Sequence, residues 1–76
     1  MNIKTIYCGP VSESDINKWI TLECNLSANS IILGYQGSAA NDLIISCTPI
    51  FLNGHISYLK VYSGVSQYIV VHYIVV

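Results

Sequence analysis

The sequence predicts an all-β fold, a small antiparallel sandwich or open barrel of five to six strands in a single domain spanning residues 1–76. Three observations predict it. Residues 68–76 read Tyr-Ile-Val-Val-His-Tyr-Ile-Val-Val, β-branched and aromatic at odd and even positions alike, and a strand apolar on both faces must be covered on both. Asn53-Gly54 lies between two such segments, and this dipeptide is the strongest short-range hairpin signal because a type I′ turn needs positive φ at both central residues. Elsewhere, short alternating segments are separated by Gly, Pro, Asn and Ser, the punctuation of strands rather than long helices.

Taken in order, residues 2–8 (Asn-Ile-Lys-Thr-Ile-Tyr-Cys) form a first strand. Gly9-Pro10 is expected to break it, since proline lacks a ladder donor and glycine loosens the backbone. Ser12 and Ser14 interleave with Glu13 and Asp15, an N-terminal helix signature, so one helical turn is placed near residues 13–17. Ile16, Trp19 and Ile20 sit at helical spacing behind it, and a helix running to about residue 24 is the alternative. Strict alternation over residues 18–26 favours a strand, with Ile20, Leu22, Cys24 and Leu26 on one side and Thr21, Glu23 and Asn25 on the other.

Ser27-Ala28-Asn29-Ser30 reads as a turn, and residues 31–36 are expected to pair antiparallel with the preceding strand. A small-residue loop over 37–41 leads into strand material over 42–52, where Pro49 demands an edge position or a bulge. Counting outward from Asn53-Gly54, Leu52 opposes His55, Phe51 opposes Ile56, Pro49 opposes Tyr58, and Cys47 and Ile45 oppose Lys60 and Tyr62. One hairpin face then holds Ile45, Cys47, Phe51, Ile56, Tyr58 and Tyr62, and the other holds Ile44, Ile50, Leu52, Leu59 and Val61 among Ser46, Thr48 and Ser57. Neither is plainly a solvent face. One is therefore expected on the core and the other in a subunit contact. Ser63-Gly64-Val65-Ser66 returns the chain into the terminal strand.

A chain of 76 residues and 8.4 kDa should expose about 4,600 Å² when folded. Burying about 4,500 Å² of apolar surface at ~25 cal/mol per Å² returns roughly 110 kcal/mol, about equal to an entropy cost of ~1.5 kcal/mol per residue. The monomer is marginal, and disulfides, metals or oligomerisation are the usual remedies. Cys8, Cys24 and Cys47 are odd in number, and no Cys-x-x-Cys or Cys-x-x-His spacing links them to His55 or His72, so neither a disulfide framework nor a zinc site is expected. The N-terminus shows no basic stretch followed by a long apolar region, and the expected compartment is the reducing cytoplasm. Oligomerisation is left.

Charge agrees with it. Lys4, Lys18 and Lys60 face Glu13, Asp15, Glu23 and Asp42, with no arginine, so little repulsion keeps copies apart. Three scattered lysines cannot displace counterions from a phosphate backbone, which excludes nucleic acid. No run of about 18 apolar residues is present to cross a membrane as a helix.

No catalytic motif stands out. His72 within the terminal strand is read as a hydrogen-bonded residue of a core or interface, His55 as a solvated loop residue, and Cys8 as a buried structural thiol with no basic neighbour to activate it. Gly34, Gly37 and Gly64 lack the strand, loop, helix order of a phosphate site. The feature most indicative of recognition is six tyrosines at Tyr7, Tyr35, Tyr58, Tyr62, Tyr68 and Tyr73, since tyrosine is enriched at interfaces, although β propensity accounts for some of them.

The expected function is a non-enzymatic interaction and assembly protein. It self-associates through its C-terminal strand, with Tyr68, Val70, His72, Ile74 and Val76 at the subunit interface, and contacts a protein partner through Trp19, Tyr58, Lys60 and Tyr62. The alternative is a small-ligand-binding oligomer with pockets between subunits, where Asn41 and Asp42 join Tyr58 and Lys60 as polar contacts. An enzyme using Cys8 or His72 ranks last, for want of a base, orienting carboxylate or metal partner. No cofactor or metal is expected. The short, charge-poor, β-rich profile is that of small accessory proteins of phages or mobile elements, such as an inhibitor or structural subunit.

Overall fold

The computed structural model describes residues 2–39 and 45–76, and among them the regular structure is six strands and one 3-10 turn. The strands are β1 (Lys4–Val11), β2 (Trp19–Glu23), β3 (Ser30–Gly37), β4 (Ile45–Leu52), β5 (His55–Ser63) and β6 (Gln67–Val75), with the turn at Glu13–Asp15. They form two antiparallel sheets, ordered β1-β6-β3 and β2-β5-β4. At the two open sides, β1 lies against β2 and β3 against β4. A shortest Cα dimension of 14 Å is that of two sheets stacked about 10 Å apart. The fold is the all-β sandwich of the expectation.

The two strands that close the chain are the middle strands of the two sheets. Leu59 and Val61 of β5 and Ile69 and Val71 of β6 are fully buried between the sheets, joined by Cys8, Val11, Cys24, Leu26 and Ile56. Val70 and Ile74 point the other way and are nevertheless buried. Their register neighbours explain this: Tyr7 and Gln36 flank Val70, and Ile31 stands beside Ile74. The second apolar face of β6 is thus partly covered by its own chain. The folded chain exposes 4610 Å², what a compact monomer of this mass exposes.

Several local expectations are corrected. Gly9-Pro10 does not end β1; the strand runs through a cis Gly9-Pro10 bond to Val11, with Gly9 at φ 112 and a register shift between Cys8 and Val11. A glycine conformation closed to other residues lets Val11 return to the core. The turn over Glu13–Asp15 forms and the longer helix does not, because Asn17 takes a positive φ of 59 and bonds through its N–H to the Ser63 carbonyl. Alternation then puts Ile20, Leu22, Cys24 and Leu26 inward as expected.

The expected pairing of residues 31–36 with the preceding strand does not form; β3 pairs with β6 in the other sheet. Cys24 and Leu26 donate to the Ser57 and Ile56 carbonyls, so the chain stays on β5 past the end of β2. Asn25, at positive φ, also donates to the Ser57 carbonyl, and the chain crosses between sheets after Leu26, turning at Asn29, likewise at positive φ. A middle strand with an apolar run on both faces gains more from two flanking strands than β2 gains from a hairpin partner.

The Asn53-Gly54 turn is present, with φ of 52 and 82. Leu52 pairs with His55 and Phe51 with Ile56 as expected, but a bulge follows, so that Ile50 faces Tyr58, Pro49 faces Leu59 and Cys47 faces Val61. That one-residue slip exchanges the faces of β4. Cys47 joins the core, while Ser46, Thr48 and Ile50 line up outside with Tyr62, Lys60 and Tyr58. The outer face of this hairpin is therefore mixed, with Ile50, Tyr58 and Tyr62 among Ser46, Thr48 and Lys60, rather than either of the two faces counted from the turn alone. Pro49 sits on an edge strand, as its missing N–H requires. Because nothing lies within 4 Å of a Cβ built on Gly54, Gly54→Ala isolates backbone strain. It is expected to cost about 1 kcal/mol, measured as a lowered denaturant midpoint with unchanged slope.

Where the chain passes from β5 to β6, a buried polar knot sets the corner. The Gln67 amide donates to Ser63 Oγ at 2.8 Å and its Oε1 accepts from the Ala39 N–H at 3.1 Å. Ser63 Oγ in turn donates to the Val65 carbonyl at 2.7 Å. Among the described residues no buried side-chain nitrogen or oxygen is left unpaired.

Candidate functional site

Two outward surfaces concentrate the side chains that can recognise another molecule. The first is the outer face of the β2-β5-β4 sheet. Register places Trp19 beside Tyr62, Thr21 beside Lys60 and Glu23 beside Tyr58, cross-strand pairs close enough to fix one another's rotamers. The Trp19 and Tyr62 rings stand 5.6 Å apart at 59°, and Lys60 Nζ lies 5.4 Å from the centre of the indole, within cation–π range. Trp19 is still 52% exposed. The result is a stiff aromatic shelf with one cation, flat and open to solvent.

The second surface is the outer face of β1-β6-β3. A cleft of about 600 Å³ crosses it, lined by Thr5, Tyr7, Gln36, Ser38, Val70 and His72 among others. His72 lies in the middle. Its Nδ1 is 3.2 Å from Thr5 Oγ1 and its Nε2 is 3.2 Å from Gln36 Oε1. A Gln carbonyl oxygen only accepts, so Nε2 donates to it and Nδ1 accepts from the Thr5 hydroxyl. Held this way by two neutral groups, the imidazole is a fixed strut between β1 and β3. Tyr7 and Tyr68 meet edge to face at 6.3 Å on the same side and are both exposed, Tyr7 to 64%.

Trp19, Tyr58, Lys60 and Tyr62 are thus brought onto one face, while Asn41 and Asp42 lie outside the described residues. Tyr68, Val70, His72 and Ile74 share the outward face of β6, and Val76 follows the strand, its N–H donated to the Asn29 carbonyl and its side chain exposed. Both edges of β6 are paired. Any association along this strand therefore uses its outward face, not its hydrogen-bonding edge. Sequence reasoning did not single out Thr5, Gln36 and Ser38, since they come from strands whose pairing with β6 no local signal states.

His55 donates to or accepts from Ser57 Oγ through Nε2 at 3.1 Å, half-buried rather than in a solvated loop. Cys8 and Cys24 are buried and Cys47 half-buried, all as free thiols. Burial pushes the Cys47 thiol up to about 11 and, with Cys47 nearby, the Tyr35 hydroxyl up to about 12. Among the described residues no group of three His, Cys, Asp or Glu is placed to hold a metal ion, and no helix is long and apolar enough to cross a membrane. Comparison with protein-family models, with curated proteins and with solved structures returns no match for this chain.

Proposed function

We propose that this chain is a non-enzymatic interaction and assembly protein, whose copies associate through the outward face of the β1-β6-β3 sheet and whose Trp19, Tyr58, Lys60 and Tyr62 shelf takes a protein partner. The observation that carries this reading is the placement of large exposed side chains on both outer faces of one thin sandwich. Exposed Tyr7, Tyr68 and Ile31 lie on one side, and exposed Trp19, packed on half-buried Tyr62, on the other. Aromatic residues held rigid by cross-strand neighbours lose little entropy on contact. Three lysines and four acidic residues in the whole chain leave little charge repulsion against close approach. In this reading the protein acts in the cytoplasm as an accessory protein of a phage or mobile element, a placement supported by composition alone.

Light scattering across a micromolar concentration series tests the assembly. The expected mass is a multiple of 8.4 kDa, reduced to the monomer by Tyr68→Lys, which an exposed position tolerates in the fold. Trp19 is the one tryptophan of the chain, so its emission reports which face is used. Assembly through β1-β6-β3 leaves the emission unchanged on dilution; assembly through the shelf shifts it. A monomer at every concentration would overturn the reading.

The cleft beside His72 favours a second reading, a small polar ligand bound on the same face. Its volume lies within the range of ligand clefts, and Thr5, Gln36 and Ser38 give it hydroxyl and amide groups. A saturable rise in melting temperature in a screen of sugars and nucleotides supports this reading, and a flat response across the panel rejects it.

A further inference from the structure

Two of the three thiols meet inside the sandwich. Cys8 on β1 and Cys24, just past β2, approach to 3.5 Å between sulfurs, although they belong to opposite sheets and are sixteen positions apart. We propose that Cys8 and Cys24 are a reversible oxidation site that closes to a disulfide with hydrogen peroxide and so staples the two sheets along their β1/β2 side.

The placement makes the reaction accessible. Both β1 and β2 are edge strands, each hydrogen-bonded to a sheet neighbour on one side only, so the small approach needed to bring 3.5 Å down to about 2.05 Å falls where the sheets yield most easily. Both residues are buried, Cys24 slightly the less enclosed at 6% exposure against 2% for Cys8. The Cys8 thiol donates its hydrogen to Cys24 Sγ. That contact holds the Cys24 thiol below its usual range, against the opposing effect of its burial, and together with burial pushes Cys8 up. Cys24 is accordingly the attacking sulfur and Cys8 the resolving one.

The chemistry balances as follows. The Cys24 thiolate attacks one peroxide oxygen; the S–O bond forms, the O–O bond breaks, and the departing hydroxide takes a proton to leave as water, giving a sulfenic acid. The Cys8 sulfur then attacks the Cys24 sulfur. The S–S bond forms, the S–O bond breaks, and the hydroxide leaves as water with the Cys8 proton. Two thiols are oxidised and one peroxide is reduced to two waters. A small thiol or phosphine reductant restores the pair.

The full-length chain is treated with one equivalent of hydrogen peroxide under native conditions, then read by intact mass, free-thiol titration and peptide mapping. Expected are loss of two hydrogens, a single remaining thiol at Cys47 and a peptide linking Cys8 to Cys24, all reversed by a phosphine. Circular dichroism stays unchanged, and the melting temperature rises by roughly 5 °C or more, because the bond closes a loop in the unfolded chain. Cys47→Ser oxidises as the native chain does, so the result does not depend on Cys8 or Cys24 variants folding. Three thiols persisting after peroxide, a link through Cys47, sulfinic acid without a disulfide, or unfolding on oxidation would each overturn the proposal.

Discussion

Val71→Lys is expected to leave no folded protein at 25 °C. Val71 is fully buried at the centre of β6, with β1 on one side, β3 on the other and the second sheet facing it. A lysine there has neither a partner nor a route to water, and an unpaired buried charge costs several kcal/mol. A domain of this size holds about 5 kcal/mol of stability in total, so the loss is of the order of the whole. Two-dimensional amide NMR should show the dispersed spectrum of a β protein collapse. Ile74→Lys is the informative contrast. Ile74 is also buried, but on the outward face of the same strand, and a lysine stem can lie along that surface with its ammonium in water. The expected cost is about 1–2 kcal/mol in the monomer. A native melting curve for Val71→Lys would mean that the sandwich does not close over β6. Equal loss in both variants would mean that the outward face is as dry as the core.

Leu59→Ala carries the second-largest expected effect. Leu59 has no exposure and is the largest fully buried side chain of the described residues. It lies on the middle strand β5, paired with Leu22 on one side and Pro49 on the other, and these backbones cannot collapse into the space it leaves. The cost is therefore placed at about 3–4 kcal/mol, in the range for leucine truncation in rigid cores. Chemical denaturation should report it as a fall in midpoint with little change in slope. A loss under 1 kcal/mol would mean that the two sheets slide together to fill the gap.

The aromatic shelf was legible before the fold, and the cleft was not. Tyr58, Lys60 and Tyr62 alternate along one strand, so any strand containing them puts all three on one face. Trp19 joins them only because β2 pairs with β5, with Trp19 opposite Tyr62. The cleft assembles Thr5, Gln36 and His72 from three strands distant in sequence, and no periodicity within one segment says which strands will be neighbours. The same holds for the thiol pair: Cys8 and Cys24 each read as a small buried hydrophobe, and their contact across the sheets is a product of packing.

The sequence by itself determined the strand content, the turn at Asn53-Gly54, the short helical turn after β1 and the inward side of β2. Each depends on interactions within a few residues, such as positive φ at Asn and Gly or alternation along one strand. Only the tertiary structure decided that β6 is a middle strand flanked by β1 and β3, that β2 and β3 part company between sheets, and that a bulge at Ile50/Phe51 exchanges the faces of β4. The physical reason is the same in all three. Pairing partners and register are chosen by long-range burial, where one residue of slip moves every side chain to the opposite face, and the stretch from Tyr68 to Val76, apolar on both sides, is satisfied best where two strands of its own chain can cover it.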